Sequence, residues 1–96
     1  MRFECDARKE RQNITKHGVS FKEPEELFTS KVDFLELYDA EHSDLEDRFI
    51  AIGPIRRGLV LVVFTERVED TIRFISARWA SKAEHLLYTE YTEQHR

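Results

Sequence analysis

Ninety-six residues, 41% hydrophobic and 35% charged, describe a chain that can close around one modest core, removing roughly 65% of its extended surface from water, without the apolar poverty of a disordered segment. No apolar run approaches the ~18 residues needed to cross a bilayer, the charged start MRFECDARKE lacks a signal peptide's apolar segment, and the lone Cys5 can form no intrachain disulfide and reads as packing. One cytoplasmic domain over residues 1–96 is expected, and the net charge of −4 gives no overall attraction for nucleic acid.

A short strand is expected near residues 2–5. Asp6 fits an N-cap and Gly18 a left-handed stop, so the helix-favouring residues between them predict a helix over 7–17. Its last turn carries Lys16 and His17, where the helix dipole favours cations. Ser20 and Glu23 have capping-box spacing, and Pro24 suits a first helical position, so a short helix should run to about residue 28 with Leu27 and Phe28 turned inward. Residues 32–38 mix β-formers with charges like a half-buried or edge strand, and residues 39–45 read as a polar connection.

A strand over 47–52 is followed by the breakers Gly53-Pro54 and then Arg56-Arg57-Gly58, a hairpin signal. Residues 59–65 show no alternation, the mark of a central strand covered on both faces. A short charged turn leads to a strand over 71–78, with Trp79 read as a plug for the core. Ser81 and Glu84 form a second capping box that opens a helix to about residue 92, with Ala83, Leu87, Tyr88 and Tyr91 on one side. The order predicts an α+β fold: a small twisted antiparallel sheet of about four strands, packed by N-terminal helices and a C-terminal helix.

Charge is unevenly spread along the chain. Residues 2–16 are net basic, residues 23–47 oppose ten Asp and Glu with Lys31 alone, and residues 67–82 are again net basic. Local positive sites therefore survive the acidic total. If Gly53 pairs with Gly58, then Glu46, Arg48, Thr65 and Arg67 share one face at one end of the sheet, within about 7 Å of one another. A two-residue turn at Val68-Glu69 would put Arg78 opposite Leu59, roughly 13 Å from Arg48. Strict alternation would place Arg73 on the other face, where it could meet a partner or a substrate.

A carboxylate beside two guanidiniums is suited to metal-free RNA cleavage. A base takes the ribose 2′-OH proton, and arginine forks stabilise charge gathering on phosphorus-bound oxygens. Glu46 would be the base, with Arg48 and Arg67 stabilising charge, His17 donating a proton to the leaving oxygen, and Lys16 holding a flanking phosphate. The competing readings are an ordinary cross-strand ion pair for Glu46 and a cationic helix cap for His17. His42, in an acidic loop, reads as solvated. His85 and His95 have no ligand partner at metal spacing, so neither a metal nor a cofactor is expected.

The segment NITKHGVSF over residues 13–21, then His42, Glu46, Arg48 and Gly53, then TER over 65–67 and ISAR over 75–78 with Ala80, Glu84 and Tyr88, span nearly the whole chain. Together they resemble the BrnT-like toxins of bacterial type II toxin-antitoxin pairs. The resemblance implies a RelE-like fold, a metal-independent endoribonuclease that inhibits growth, and a catalytic set that also takes in Arg78. It further implies neutralisation by a BrnA-like antitoxin with a ribbon-helix-helix domain, promoter DNA being bound only through the complex. Cys5 stands where the family usually has a tryptophan. The alternative is a noncatalytic module that grips a partner protein through its sheet face.

Overall fold

Asp6 has an extended backbone, and its carboxylate accepts hydrogen bonds from the Arg8 and Lys9 amides at 2.8 and 3.1 Å, so α1 (Ala7–His17) starts where the cap dictates. Gly18, at φ 71°, ends it by donating its N–H to Ile14 O at 2.8 Å. A side chain here would be strained in the left-handed region. The computed structural model describes residues 1–94. Its other elements are β1 (Arg2–Glu4), α2 (Glu25–Thr29), β2 (Leu35–Tyr38), a 3-10 turn at Ala40–His42, β3 (Phe49–Ile55), β4 (Gly58–Arg67), β5 (Thr71–Trp79) and α3 (Lys82–Gln94). Ser20 and Glu23 make their reciprocal bonds at 3.0 and 3.4 Å, but these close a turn, and the helix begins after Pro24.

The sheet runs β1-β5-β4-β3-β2, five strands where about four were expected. The short strand expected near residues 2–5 is β1, which joins the sheet by pairing with β5 in parallel, while all other pairs are antiparallel. Gly53 and Pro54 do not break the chain. They lie inside β3, with Gly53 opposite Val60 and the turn at Arg56-Arg57. Two facts explain this. Pro54 falls at a position whose N–H would face away from β4, beyond the end of β2 at Leu35 opposite Ile52, so no ladder bond is lost. At Gly53 a Cβ would stand 2.7 Å from Phe34 Cβ and 2.8 Å from Leu27 Cδ2, so the glycine serves close packing. Arg57 then ties the hairpin turn to the α1–α2 loop, donating to Glu23 at 2.6 Å and Gly18 O at 2.7 Å with its guanidinium 5.0 Å from the Trp79 ring centre.

The β4–β5 connection also departs from expectation. The turn uses Val68, Glu69 and Asp70, the last two at φ 61° and 56°, and the register shifts at Val63/Phe64, leaving Ile75 as an extra residue on β5. This bulge reverses the alternation. Arg73 pairs with Thr65 and Arg78 with Leu61, so both arginines lie on the same face, correcting the assignment of Arg73 to the other side.

One face of the sheet is sealed. Val60, Val62, Phe64, Phe74 and Ala77 pack under Val19, Phe21 and Leu27 from the helical layer. Phe28 sits within 6.1 Å of the rings of Phe3, Phe34, Phe64 and Phe74. The other face of β4 is covered in part: Leu61 and Thr65 are buried there, whereas Leu59 and Val63 are half-buried. There α3 meets the sheet through Glu84 and through Tyr88, whose hydroxyl donates to Asp33 O at 2.7 Å, while Leu86 and Leu87 are 65% and 47% exposed. Of the predicted side of α3, Tyr88 and Tyr91 are half-buried while Ala83 and Leu87 are exposed. Cys5, expected to pack, is exposed.

Beyond β1 the second half of β5 has no strand on its outer side. Asn13 of α1 takes that place, donating to Ala77 O at 2.8 Å, accepting from Ala77 N at 3.1 Å and donating to Val19 O at 2.9 Å. A carboxamide has the donor and acceptor of a peptide group, which lets one side chain satisfy the strand edge.

Candidate active site

The incompletely covered face collects the cations. Arg48 just precedes β3, Arg67 lies on β4, and Arg73 and Arg78 lie on β5, all on the side of Leu61 and Val63. The two register changes displace Arg48 and Arg78 equally. Arg78 pairs with Leu61 and Leu61 with Ile52, four positions beyond Arg48, so the two arginines remain offset by roughly 13 Å along the strands, with β4 between them. They stand at the two ends of one groove of about 430 Å³, floored by Ile50, Leu61, Val63 and Ser76.

At the first end, Glu46 Oε1 lies 4.0 Å from Arg48 Nε, an ion pair too long for a hydrogen bond. Arg48 Nε is buried and has no hydrogen-bond partner among the described residues. At the other end Glu84 grips Arg78 through two bonds of 2.8 Å, and Arg78 also donates to Trp79 O at 3.2 Å. Three of five guanidinium donors are thereby engaged, and the edge formed by Nε and the second Nη2 proton faces away from that grip. Hydrogen bonding to Arg78 holds the Glu84 carboxyl down to about 2 and raises Arg78 further. Glu84 is also the capping-box partner of Ser81, accepting from its N–H at 2.7 Å, so the first turn of α3 aims the clamp.

Arg67 is not the free cation expected beside Glu46. Its Nε reaches across β5 to Glu4 at 3.1 Å, and Arg73 shares that carboxylate at 3.5 Å. Two guanidiniums on one carboxylate leave the patch net positive. Glu46 borders both this side, in a concavity with Thr65 and Arg67, and the Arg48 side. Lys16 and His17 line a separate concavity against Ile75 and Ser76, residues it shares with the groove, so they flank the arginines without touching Arg48. His95 lies outside the described residues.

Sequence reasoning counted His42 in the resemblance but gave it no role, reading it as solvated. Its Nδ1 stands 3.1 and 3.0 Å from the two oxygens of Asp39, and its ring lines the groove with Arg48 and Arg78. The available signal was the Asp39–His42 spacing within a 3-10 turn, which an acidic stretch conceals. Glu84 was read only as a cap, and its second role depends on where β5 ends.

The fold agrees with a known structure. The 1.1 Å crystal structure of the Brucella abortus ribonuclease toxin BrnT is similar, with a TM-score of 0.64 and 26% identity over 85% of this chain and 99% of that one. The protein is thus of the class of small α+β toxins with a mostly antiparallel sheet. The family model for the ribonuclease toxin BrnT of type II toxin-antitoxin systems matches residues 5–84, and the chain belongs to that family. No curated protein matches the sequence. Membership makes it a ribonuclease toxin with an antitoxin partner. Among the described residues no helix is long and apolar enough to cross a membrane.

Proposed function

We propose that the protein is a metal-independent endoribonuclease whose substrate backbone lies along the groove between Arg48 and Arg78. The observation that carries this reading is the groove itself, with a guanidinium at each end, Glu46 near one without a hydrogen bond to it, and a floor of buried and half-buried strand residues. Glu46 takes the proton from the ribose 2′-OH. The 2′ oxygen attacks phosphorus, Arg48 stabilises the negative charge that builds on the nonbridging oxygens, and the 5′ oxygen leaves with a 2′,3′-cyclic phosphate behind it. Arg78, held by Glu84, binds a phosphate further along the strand. Lys16 and His17 extend the track past Ser76, and the Arg67–Glu4–Arg73 cluster borders it on the Glu46 side.

A BrnA-like antitoxin with a ribbon-helix-helix domain would silence the toxin in the cytoplasm and supply the contact with promoter DNA. An antitoxin rich in Lys and Arg suits the acidic residues 23–47. Purified protein incubated with RNA, with and without EDTA, tests the reading. Cleavage that survives chelation and disappears in Arg48→Ala supports it. Intact RNA at high protein concentration supports the noncatalytic binding module instead.

A further inference from the structure

We propose that His42 is the proton donor to the leaving 5′ oxygen, a further catalytic residue that rests on the ribonuclease reading above. Among the described residues two histidines flank the groove. His17 lies in the neighbouring concavity with Lys16, Ile75 and Ser76. His42 lines both the groove and the concavity that Glu46 and Arg48 share. Among the described residues, the imidazole beside the base and the charge-stabilising group is that of His42.

The surroundings hold that ring in a usable pose. Asp39 faces Nδ1 with both oxygens, an arrangement in which Nδ1 carries a proton and Nε2 is the atom left to meet a ligand. The Asp39 side chain is 13% exposed and that of His42 62%, so the pair is anchored at one end and open at the other. The same segment is fastened to Arg48. Asp39 N–H donates to Arg48 O at 2.8 Å, and Ser43 Oγ donates to Asp39 O at 2.6 Å while accepting from Arg48 N–H at 2.9 Å. His42 and Arg48 are thus held in one frame, which makes Asp39 and Ser43 positioning residues.

The step balances without any further reactant. The 2′ oxygen forms its bond to phosphorus as its proton passes to Glu46, and the bond from phosphorus to the 5′ oxygen breaks as His42 Nε2 gives that oxygen a proton. Glu46 ends protonated and His42 neutral, and exchange with water restores both. This division of labour leaves His17 as a helix cap or a phosphate contact.

The test uses the full-length protein and an oligoribonucleotide containing the bond that the protein cuts in a long RNA, made once with oxygen and once with sulfur as the 5′ bridging atom. A thiolate leaves without needing a proton. His42→Ala should slow cleavage of the oxygen substrate at least ~100-fold, within the range for general acid catalysis, and should lose most of that defect on the sulfur substrate. Asp39→Asn should show the same pattern in weaker form, which a fold defect would not. Glu46→Gln should stay slow on both. His42→Gln, closer in size and polarity, covers a failure of the alanine variant to fold. Unchanged cleavage by His42→Ala, or an equal defect on both substrates, overturns the proposal while leaving the ribonuclease reading intact. Absence of cleavage by the unaltered protein overturns both.

Discussion

The two faces of the sheet are built from alternate residues of the same strands and have opposite characters. On the sealed face Val60, Val62 and Phe64 of β4 are wholly buried against the helical layer, and the aromatic rings around Phe28 interlock. On the other, Leu61 and Thr65 are buried but Val63 stays half-exposed in the span between Arg73 and Arg78. A period of two lets the strand serve both, since neighbours in sequence never share a face. Net charge conceals this arrangement. A chain at −4 still brings four arginines to one side, because strand pairing and not the total sets which residues share a face.

If the faces are functionally separate, substitutions should separate activity from stability. The largest effect is expected at Arg48→Ala, which should cut RNA cleavage by about 100- to 1,000-fold, the usual loss for one preorganised charge-stabilising group, with the thermal midpoint nearly unchanged. A matching fall in both would break the comparison. Asn13→Leu belongs to the stability side. It leaves Val19 O and both backbone groups of Ala77 without a partner, at a cost of about 3 kcal/mol in urea unfolding. Gly53→Ala forces a methyl group against Phe34 and Leu27 and should cost about 2 kcal/mol by the same measurement.

The clamp between Arg78 and Glu84 gives a pH signature. The Glu84 carboxyl is lowered from its ordinary 4.5 to about 2 in the folded protein, so its contribution to stability is present above about pH 4.5 and lost as pH falls toward 2. Glu84→Gln should remove that part of the acid sensitivity, seen as a smaller drop in urea midpoint between neutral and acid pH. Smallest of all, Lys16→Ala should weaken RNA binding slightly and reduce the dependence of log affinity on log salt by about 0.7, the share of one phosphate contact on a single strand. An unchanged slope would remove Lys16 from the RNA track.

Where a local signal governs structure, the chain could be read directly. Asp6 and Gly18 bound α1 at the expected residues because a cap and a left-handed glycine act over three or four positions. The strands were found but their pairing was not. Gly53 and Pro54 look like breakers until Phe34 and the short reach of β2 explain them, and both belong to other elements. The same holds for the site. Glu46 beside Arg48 followed from a spacing of two, and a register error of two residues left their face unchanged. Arg67 turns to Glu4, and Arg78 to Glu84, through contacts between elements that no window of sequence contains. His42 was discounted on its acidic neighbours, one of which, Asp39, is its anchor.

Ile75 acts on β5 as a half-period phase shift. Upstream of it, Ile72 and Phe74 point into the aromatic layer, and downstream Ala77 does, an odd step that one surplus residue makes possible. Were Ile75 to take an ordinary rung, Ser76 and Ala77 would each exchange faces, turning the small methyl of Ala77 outward and the guanidinium of Arg78 inward. The far end of the groove thus depends on a residue that has no charge and forms no rung of the ladder.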